Sequence, residues 1–257
     1  MIEIHSSAIV EDGAILEPGV KIGPFCIVGK DVKIGQNTVL QSHVVVEGIT
    51  EIGEDNLIYS FVSIGKASQD LKYKGEPTKT IIGNNNTIRE FVTIHRGTDD
   101  RWETIVGSNN LLMAYVHVAH DVIVGDNCIL ANGVTLAGHV TVDDYAIIGG
   151  LTPVHQFCRI GSYSMIGGGS AVNQDICPFV TAEGNKAVVR GLNSIGLRRK
   201  GFTEEDRSNL KKAYRILFRK GAPLKEALAE LESTFSEDKN IKYLVDFIKD
   251  SNRGITR

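Results

Sequence analysis

Four histidines, His117, His120, His139 and His155, crowd one short stretch of the chain, and Asp121 adjoins the second of them. An imidazole that titrates near neutral pH and is oriented by a carboxylate is the usual apparatus of general acid–base catalysis. The same residue types can also hold a metal ion, because neutral imidazole is the commonest metal ligand. Only His117 and His120 are close enough in sequence to share one element, so His139 and His155 must be brought to them by others. Whether the four rings form a site depends on the elements that carry them.

Those elements announce themselves through a fixed period. From Ile4 to Val172 every sixth residue is aliphatic at 26 of 29 positions, and only Asp70, Glu76 and Asp100 break the series. The following residue is Gly eleven times, and the residue four after the aliphatic is usually small or β-branched, as at Ala14, Cys26, Thr38 and Cys128. A six-residue repeat fits neither the period of a helix nor that of a half-exposed strand. It fits a short strand, a corner and another short strand, with glycine where the backbone turns tightly. The pattern resembles the hexapeptide-repeat family, whose fold is a left-handed parallel β-helix with three strands, and so three repeats, per coil. The handedness comes from that resemblance, since parallel crossovers are ordinarily right-handed. The stretch to Asp175 has room for nine to ten coils, or about 45 Å of stack at the inter-strand spacing.

The coil length then serves as a ruler. Positions separated by three repeats superpose, so His120, Gly138 and Gln156 share a column, and His139 and His155 are chain neighbours of two of its members. None of the four histidines falls on the inward aliphatic position, so they are expected to face solvent, a cleft or a second subunit. Two polar stretches, near 66–80 and 96–104, interrupt the repeat without altering its phase of six. They read as loops expelled from a continuing helix, and loops on a rigid scaffold are where binding residues gather.

Beyond the repeat the composition changes. Residues 1–176 carry a net charge of −9 and residues 177–257 a net charge of +6, within a chain of 257 residues and overall charge −3. The expected architecture is therefore a mostly β chain with a small α appendage: a β-helix over 1–176 and a basic C-terminal helical domain over 177–257. Thr203 to Asp206 has the form of a capping box before a helix at 204–220, and helices are expected at 223–235 and 240–250. Their apolar faces suit mutual packing. Cys26, Cys128 and Cys158 take the repeat's small position and Cys177 the junction, which suggests buried free thiols rather than a disulfide framework. No stretch has the form of a signal peptide or a membrane span, so the cytoplasm is the expected location. A negative net charge and the lack of a basic–aromatic motif argue against nucleic acid.

The segments NLLMAYVHVAHD (110–121), NCILANGVTLAGHVTVDDYAIIGG (127–150), TPVHQFCRIG (152–161), SQDLKYKGEPT (68–78) and TIHRG (93–97) resemble the bacterial UDP-N-acetylglucosamine acyltransferases that begin lipid A, and hence lipopolysaccharide, biosynthesis. The resemblance runs nearly end to end. It implies transfer of an (R)-3-hydroxyacyl chain from acyl carrier protein to the 3-hydroxyl of UDP-N-acetylglucosamine. It also implies a homotrimer with sites between adjacent β-helices, and no cofactor or metal. By resemblance His120 is the general base, oriented by Asp121, and the backbone N–H of Gly138 stabilises the oxyanion. Gln69, Asp70, Lys72, His117, His139, His155 and Gln156 match residues that hold the sugar nucleotide or line its cleft. Asn193, Arg199 and Lys200 match a segment that contacts the nucleotide, although Ile195 stands where an acidic residue is usual. Gly168 matches the position that sets acyl-chain length, and its missing side chain suits a longer chain. The basic residues Arg207, Lys211, Lys212, Arg215, Arg219 and Lys220 are expected to dock the acidic carrier.

Four other readings share parts of the pattern. A carbonic anhydrase family with hexapeptide repeats binds zinc through three histidines, at spacings that this chain does not reproduce. A variant of the same enzyme accepts a UDP-2,3-diamino sugar, and a later N-acyltransferase of the pathway begins with a separate uridine-binding domain. A rigid β-helical scaffold without catalysis is the remaining alternative.

Overall fold

The aliphatics of the six-residue register point inward, and successive short strands turn onto three different faces. The computed structural model describes residues 1–257 as a left-handed parallel β-helix with a small C-terminal helical part. One sheet of eleven strands begins at Glu3–Ile4, and two sheets of eight begin at Ile9–Val10 and Ile15–Leu16. We call them the first, second and third faces. The register is the one the ruler requires: Lys21 pairs with Val39 and His117 with Thr135, each one regular coil further on.

The two expelled loops account for the pairings that exceed that offset. Leu57 pairs with Thr87, two repeats beyond a regular coil, and Thr87 with Leu111, one repeat beyond. The surplus residues leave at the corner between the second and third faces, between Ser63–Lys66 and Lys79–Ile82 and between Thr93–His95 and Glu103–Val106. Because both insertions are whole repeats, the strands that follow resume the same inward phase. Asp70, Glu76 and Asp100 break the aliphatic series because they lie in those loops, outside the core.

The interior is a column of buried Ile, Leu and Val, including Ile22, Val28, Ile34, Leu130 and Ile166. Burying each such side chain stabilises the fold by about 1.5–3 kcal/mol. The corners hold the small position, and there the chain also carries a polar ladder: Asn86 Nδ2 donates to Asn56 Oδ1 at 2.9 Å, and Asn110 Nδ2 donates to the Gly125 carbonyl at 2.8 Å. Cys26, Cys128, Cys158 and Cys177 are free and buried. Burial pushes the Cys128 thiol up to about 12 and the Cys158 thiol up to about 11.

Parallel pairing on the first face continues into Val180–Glu183, which then pairs antiparallel with Val188–Leu192 and closes that end of the stack. Four helices follow: α1 (Ser194–Arg199), α2 (Glu204–Phe218), α3 (Leu224–Thr234) and α4 (Lys239–Lys249). The capping box of Thr203 and Asp206 is present. Leu210, Leu217, Leu231, Leu244 and Phe247 pack the appendage as its spacing implies. The short helix α1 has no counterpart in the sequence expectations, because a helix of under two turns that contains a glycine presents no periodic apolar stripe. No helix is long and apolar enough to cross a membrane.

Candidate active site

The corner between the second and third faces carries the histidine column. Its tight turn puts one residue per coil in the left-handed region, and Asp121 (φ 58°), His139 (φ 63°) and Phe157 (φ 64°) occupy it. Asp and His are among the few non-glycine residues that accept this conformation readily. His139 stacks on Phe157, ring centroids 4.4 Å apart and nearly parallel, and meets the edge of His120 at 5.1 Å. The residues immediately before these three are His120, Gly138 and Gln156, stacked as the ruler implies.

The His120 side chain is 15% exposed and that of Asp121 wholly buried. His120 Nδ1 lies 2.8 Å from Asp121 Oδ2. Burial by itself would raise the Asp121 carboxyl, but hydrogen bonds from His120 and from the Thr98 hydroxyl and amide outweigh it and draw the group down to about 2. The carboxylate is thus ionised and can only accept. It places the proton on His120 Nδ1 and leaves Nε2 with a free lone pair directed into the cleft, 4.0 Å from Asp70 Oδ2.

Gly138 sits against this ring. A Cβ built there would lie 2.5 Å from His120 Cε1 and 2.6 Å from Nε2, so no side chain fits without displacing the imidazole. Gly138 is buried, its carbonyl accepts from Phe157, and its N–H donates to no protein acceptor. A buried N–H without a partner is costly. Beside the His120 imidazole it is a donor available to an oxygen that gathers negative charge.

The two loops close over the corner to form a cleft of about 460 Å³ lined by Asp70, Lys72, Tyr73, Thr98, Asp99, Asp100, His120, His139, Gln156 and Phe157. Asp70 is fixed by accepting the Lys72 amide at 2.9 Å. Asp100 Oδ2 lies 3.4 Å from His139 Nδ1. His117 borders the site on its strand, its Nδ1 2.7 Å from Thr93 Oγ1 and its ring edge-on to His95 at 5.0 Å. Burial holds His95 down to about 4 and lowers His117 and His139 as well. These three rings are therefore neutral at pH 7, and Lys72 is the cation that lines the cleft.

Of the expected site residues, His120, Asp121, Gly138, His139, Gln156, Asp70 and Lys72 come together. Gln69 and His155 are exposed beside this region, with His155 Nδ1 3.1 Å from the Gln156 carbonyl. His139 is only 9% exposed because Phe157 and His120 cover it, and it faces the cleft, one of the three surroundings expected for the histidines. Thr93, His95, Thr98 and Asp100 belong to the site and were not expected from the register. His95 had one available signal, the imidazole directly after the inward Ile94 in TIHRG.

Asn193, Arg199, Lys200 and Gly168 lie elsewhere. Gly168 is exposed at the corner between the first and second faces, where a Cβ would approach the Gly150 carbonyl oxygen at 3.2 Å. Asn193, Ile195, Arg199 and Lys200 line a cavity of about 580 Å³ between α1 and the first face, with Tyr145, Tyr163 and Met165. Asn193 is buried and committed to structure: its Oδ1 caps α1 by accepting the Gly196 amide, and its Nδ2 donates to the Tyr163 carbonyl at 2.8 Å. Lys200 Nζ lies over the Tyr145 ring at 4.6 Å. Within one chain these residues and the His120 corner sit on different edges of the prism.

His120, Asp121 and His139 also present ligand-type atoms within 4.8 Å of one another. Asp121 Oδ2 is already engaged by His120 Nδ1 and Thr98 Oγ1, so the donor set is arranged as a hydrogen-bonded dyad.

Comparison with known proteins bears on this arrangement. A family model described as UDP-N-acetylglucosamine O-acyltransferase, domain 2, matches residues 175–256, and one for bacterial transferase hexapeptides matches residues 13–48 and 103–138. An acyl-(acyl-carrier-protein)–UDP-N-acetylglucosamine O-acyltransferase of Fusobacterium nucleatum is 77% identical, and one of Thermodesulfovibrio yellowstonii 53% identical, each alignment covering the whole of both chains. Among solved structures, a UDP-N-acetylglucosamine acyltransferase from Bacteroides fragilis matches with TM-score 0.97 at 43% identity, over 99% of this chain and 100% of that one. One from Francisella novicida matches with TM-score 0.96 at 42% identity, over 100% of this chain and 94% of that one.

Proposed function

The chain belongs to the family of acyl carrier protein-dependent UDP-N-acetylglucosamine O-acyltransferases, and from that premise we propose that His120 is the general base of the reaction and the Gly138 N–H its oxyanion donor. The reaction class is acyl transfer to oxygen at the first step of lipid A biosynthesis. A sugar hydroxyl is a weak nucleophile until its proton is removed as it attacks. His120 Nε2 takes that proton while the sugar 3-hydroxyl oxygen bonds to the thioester carbon of the (R)-3-hydroxyacyl donor. The former carbonyl oxygen gathers negative charge beside the Gly138 N–H. Collapse of the adduct breaks the carbon–sulfur bond, and the carrier thiolate recovers the proton from the His120 imidazolium. Asp121 holds the ring in the required tautomer and stabilises its cationic form throughout.

The observation that carries this reading is the His120–Asp121 dyad at 2.8 Å packed against a glycine whose amide is free. Lys72 and Asp70 address the phosphate and sugar end, with Gln69, His117, His139, His155 and Gln156 around them. One protomer leaves Arg199, Lys200 and Gly168 far from that dyad. A homotrimer in which adjacent β-helices share each site unites them, and supplies the cations that a diphosphate requires beyond Lys72. Residues 1–176 then carry the chemistry, and 177–257 the carrier dock on the exposed basic face of α2. The test is acylation of UDP-N-acetylglucosamine by a ladder of 3-hydroxyacyl carrier proteins, with products read by mass. Wild type forms acylated sugar nucleotide, and His120→Ala loses at least about 10²-fold in kcat. An active His120→Ala variant refutes the assignment of the base.

A further inference from the structure

The carboxylate that orients His120 is itself held by a residue of the second loop. Thr98 is 6% exposed. Its amide donates to Asp121 Oδ1 at 2.9 Å and its hydroxyl donates to Oδ2, the oxygen that faces His120 Nδ1. No other protein donor forms a hydrogen bond to either oxygen, and Asp121 is wholly buried, so water does not reach them from bulk. The backbone of Asp121 is fixed by different contacts. Its N–H donates to Thr104 Oγ1 at 2.9 Å, and its carbonyl accepts Arg101 Nη1 at 3.0 Å. Thr98 therefore helps to fix the rotation of the carboxylate, its amide on Oδ1 and its hydroxyl on Oδ2, and leaves the chain path of Asp121 alone. The loop that presents it is pinned in turn, because Thr78 Oγ1, at the end of the first loop, donates to the Gly97 carbonyl at 2.6 Å.

We propose that Thr98 is a positioning residue for acyl transfer, its hydroxyl aiming Asp121 Oδ2 at His120 Nδ1 so that Nε2 stays directed at the acceptor hydroxyl. The inference rests on the reading of His120 as the base. Replacing the hydroxyl by a methyl keeps the shape of the side chain and leaves Oδ2 with His120 as its sole donor. The carboxylate is then freer to rotate and more basic. A more basic carboxylate holds the His120 imidazolium more tightly, so the ring must lose its proton at higher pH before it can act.

The experiment compares Thr98→Val, Thr98→Ser and wild type for kcat, KM and the pH profile of kcat/KM, each checked for an unchanged far-UV spectrum. Thr98→Val is expected to lose about 10- to 100-fold in kcat, with KM for both substrates within about twofold, and its acid limb moves to higher pH. Thr98→Ser, which retains the hydroxyl, stays within about threefold of wild type and keeps the wild-type limb. In a His120→Ala background, Thr98→Val has no further effect, as expected for two residues that act as one unit. A Thr98→Val enzyme with wild-type kcat and an unmoved limb overturns the proposal, as does a Thr98→Ser enzyme equally impaired. If His120→Ala itself remains active, it is the assignment of the base that fails. Should Thr98→Val not fold, the serine variant and the imidazole N–H resonance of His120 decide: the downfield signal of a strong Nδ1–H to carboxylate bond supports the proposal in wild type and in Thr98→Ser, and its absence from both overturns it.

Discussion

Gly138→Ala isolates the contact on which the proposed chemistry depends. The new methyl lies 2.5 Å from His120 Cε1, whereas ordinary contact begins near 3.4 Å, so the two groups must separate by close to an ångström. The glycine's backbone is held by pairing on both sides, through Ala137 N–H to the Val154 carbonyl at 3.1 Å and Phe157 N–H to the Gly138 carbonyl at 3.2 Å. The imidazole is the softer partner and moves. A shift of that size stretches the 2.8 Å contact between Nδ1 and Asp121 Oδ2 beyond hydrogen-bond range. It also turns Nε2 off the acceptor. A misplacement of about 1 Å costs roughly 10²-fold in rate, and loss of general-base alignment adds to it, so the expected fall in kcat is about 10²- to 10³-fold, or about 3–4 kcal/mol of barrier. The assay is steady-state turnover with saturating UDP-N-acetylglucosamine and acyl carrier protein thioester. Gly29→Ala serves as control, because a Cβ there has no neighbour closer than 3.4 Å. A Gly138→Ala enzyme within about fivefold of wild type, with the same fold, refutes the reasoning.

Other perturbations test neighbouring parts of the account. The unfolded chain protonates His95 near its ordinary 6.5, whereas burial keeps the folded ring neutral down to about 4; stability therefore falls as pH drops through that window, by up to about 3 kcal/mol from this group. Urea melts at pH 7 and pH 4.5 should show a shallower loss for His95→Asn than for wild type, and equal losses would remove His95 as the cause. If Gly168 sets acyl-chain length as the family resemblance implies, Gly168→Met, at a position that is exposed, should move the preferred donor to a shorter acyl chain in a carrier-protein ladder; an unaltered length preference rejects Gly168 as the determinant. Lys211 and Lys212 are exposed on α2, and reversing both to Glu should raise KM for the acyl carrier protein several-fold at low salt and leave KM for the sugar nucleotide unchanged, an effect that salt diminishes. No change at low salt would move the dock elsewhere.

How much was legible beforehand depends on how each residue is placed. The column of His120, Gly138 and Gln156 followed from counting, because parallel pairing puts each residue over the one a full coil earlier whatever their side chains are. The capping box at Thr203 was equally local, since both of its hydrogen bonds join Thr203 to Asp206. Asn193 was named by resemblance alone, and counting could not reveal that its Oδ1 caps α1 and its Nδ2 anchors that helix to Tyr163 beside the cavity it lines with Arg199 and Lys200. The position of His95 beside His117 escaped the ruler because the second insertion lengthens the offset between their strands by one repeat, pairing Thr93 with His117.

The sequence by itself determined the repeat, the inward aliphatic core, the corners and the stacked histidine column, because a periodic backbone ladder converts residue number directly into position. The tertiary structure alone decided what lies above that column. Loops have no ladder to place them, so the approach of Asp70, Thr98 and Asp100 to His120 and His139 depends on side-chain hydrogen bonds and on the pairing that resumes around each insertion. It also decided the protonation of the site: burial neutralises His95, His117 and His139, while hydrogen bonds from His120 and from the Thr98 hydroxyl and amide keep Asp121 ionised. Those environments arise from atoms distant in the chain, which is why counting could locate the imidazoles and could not assign their charges.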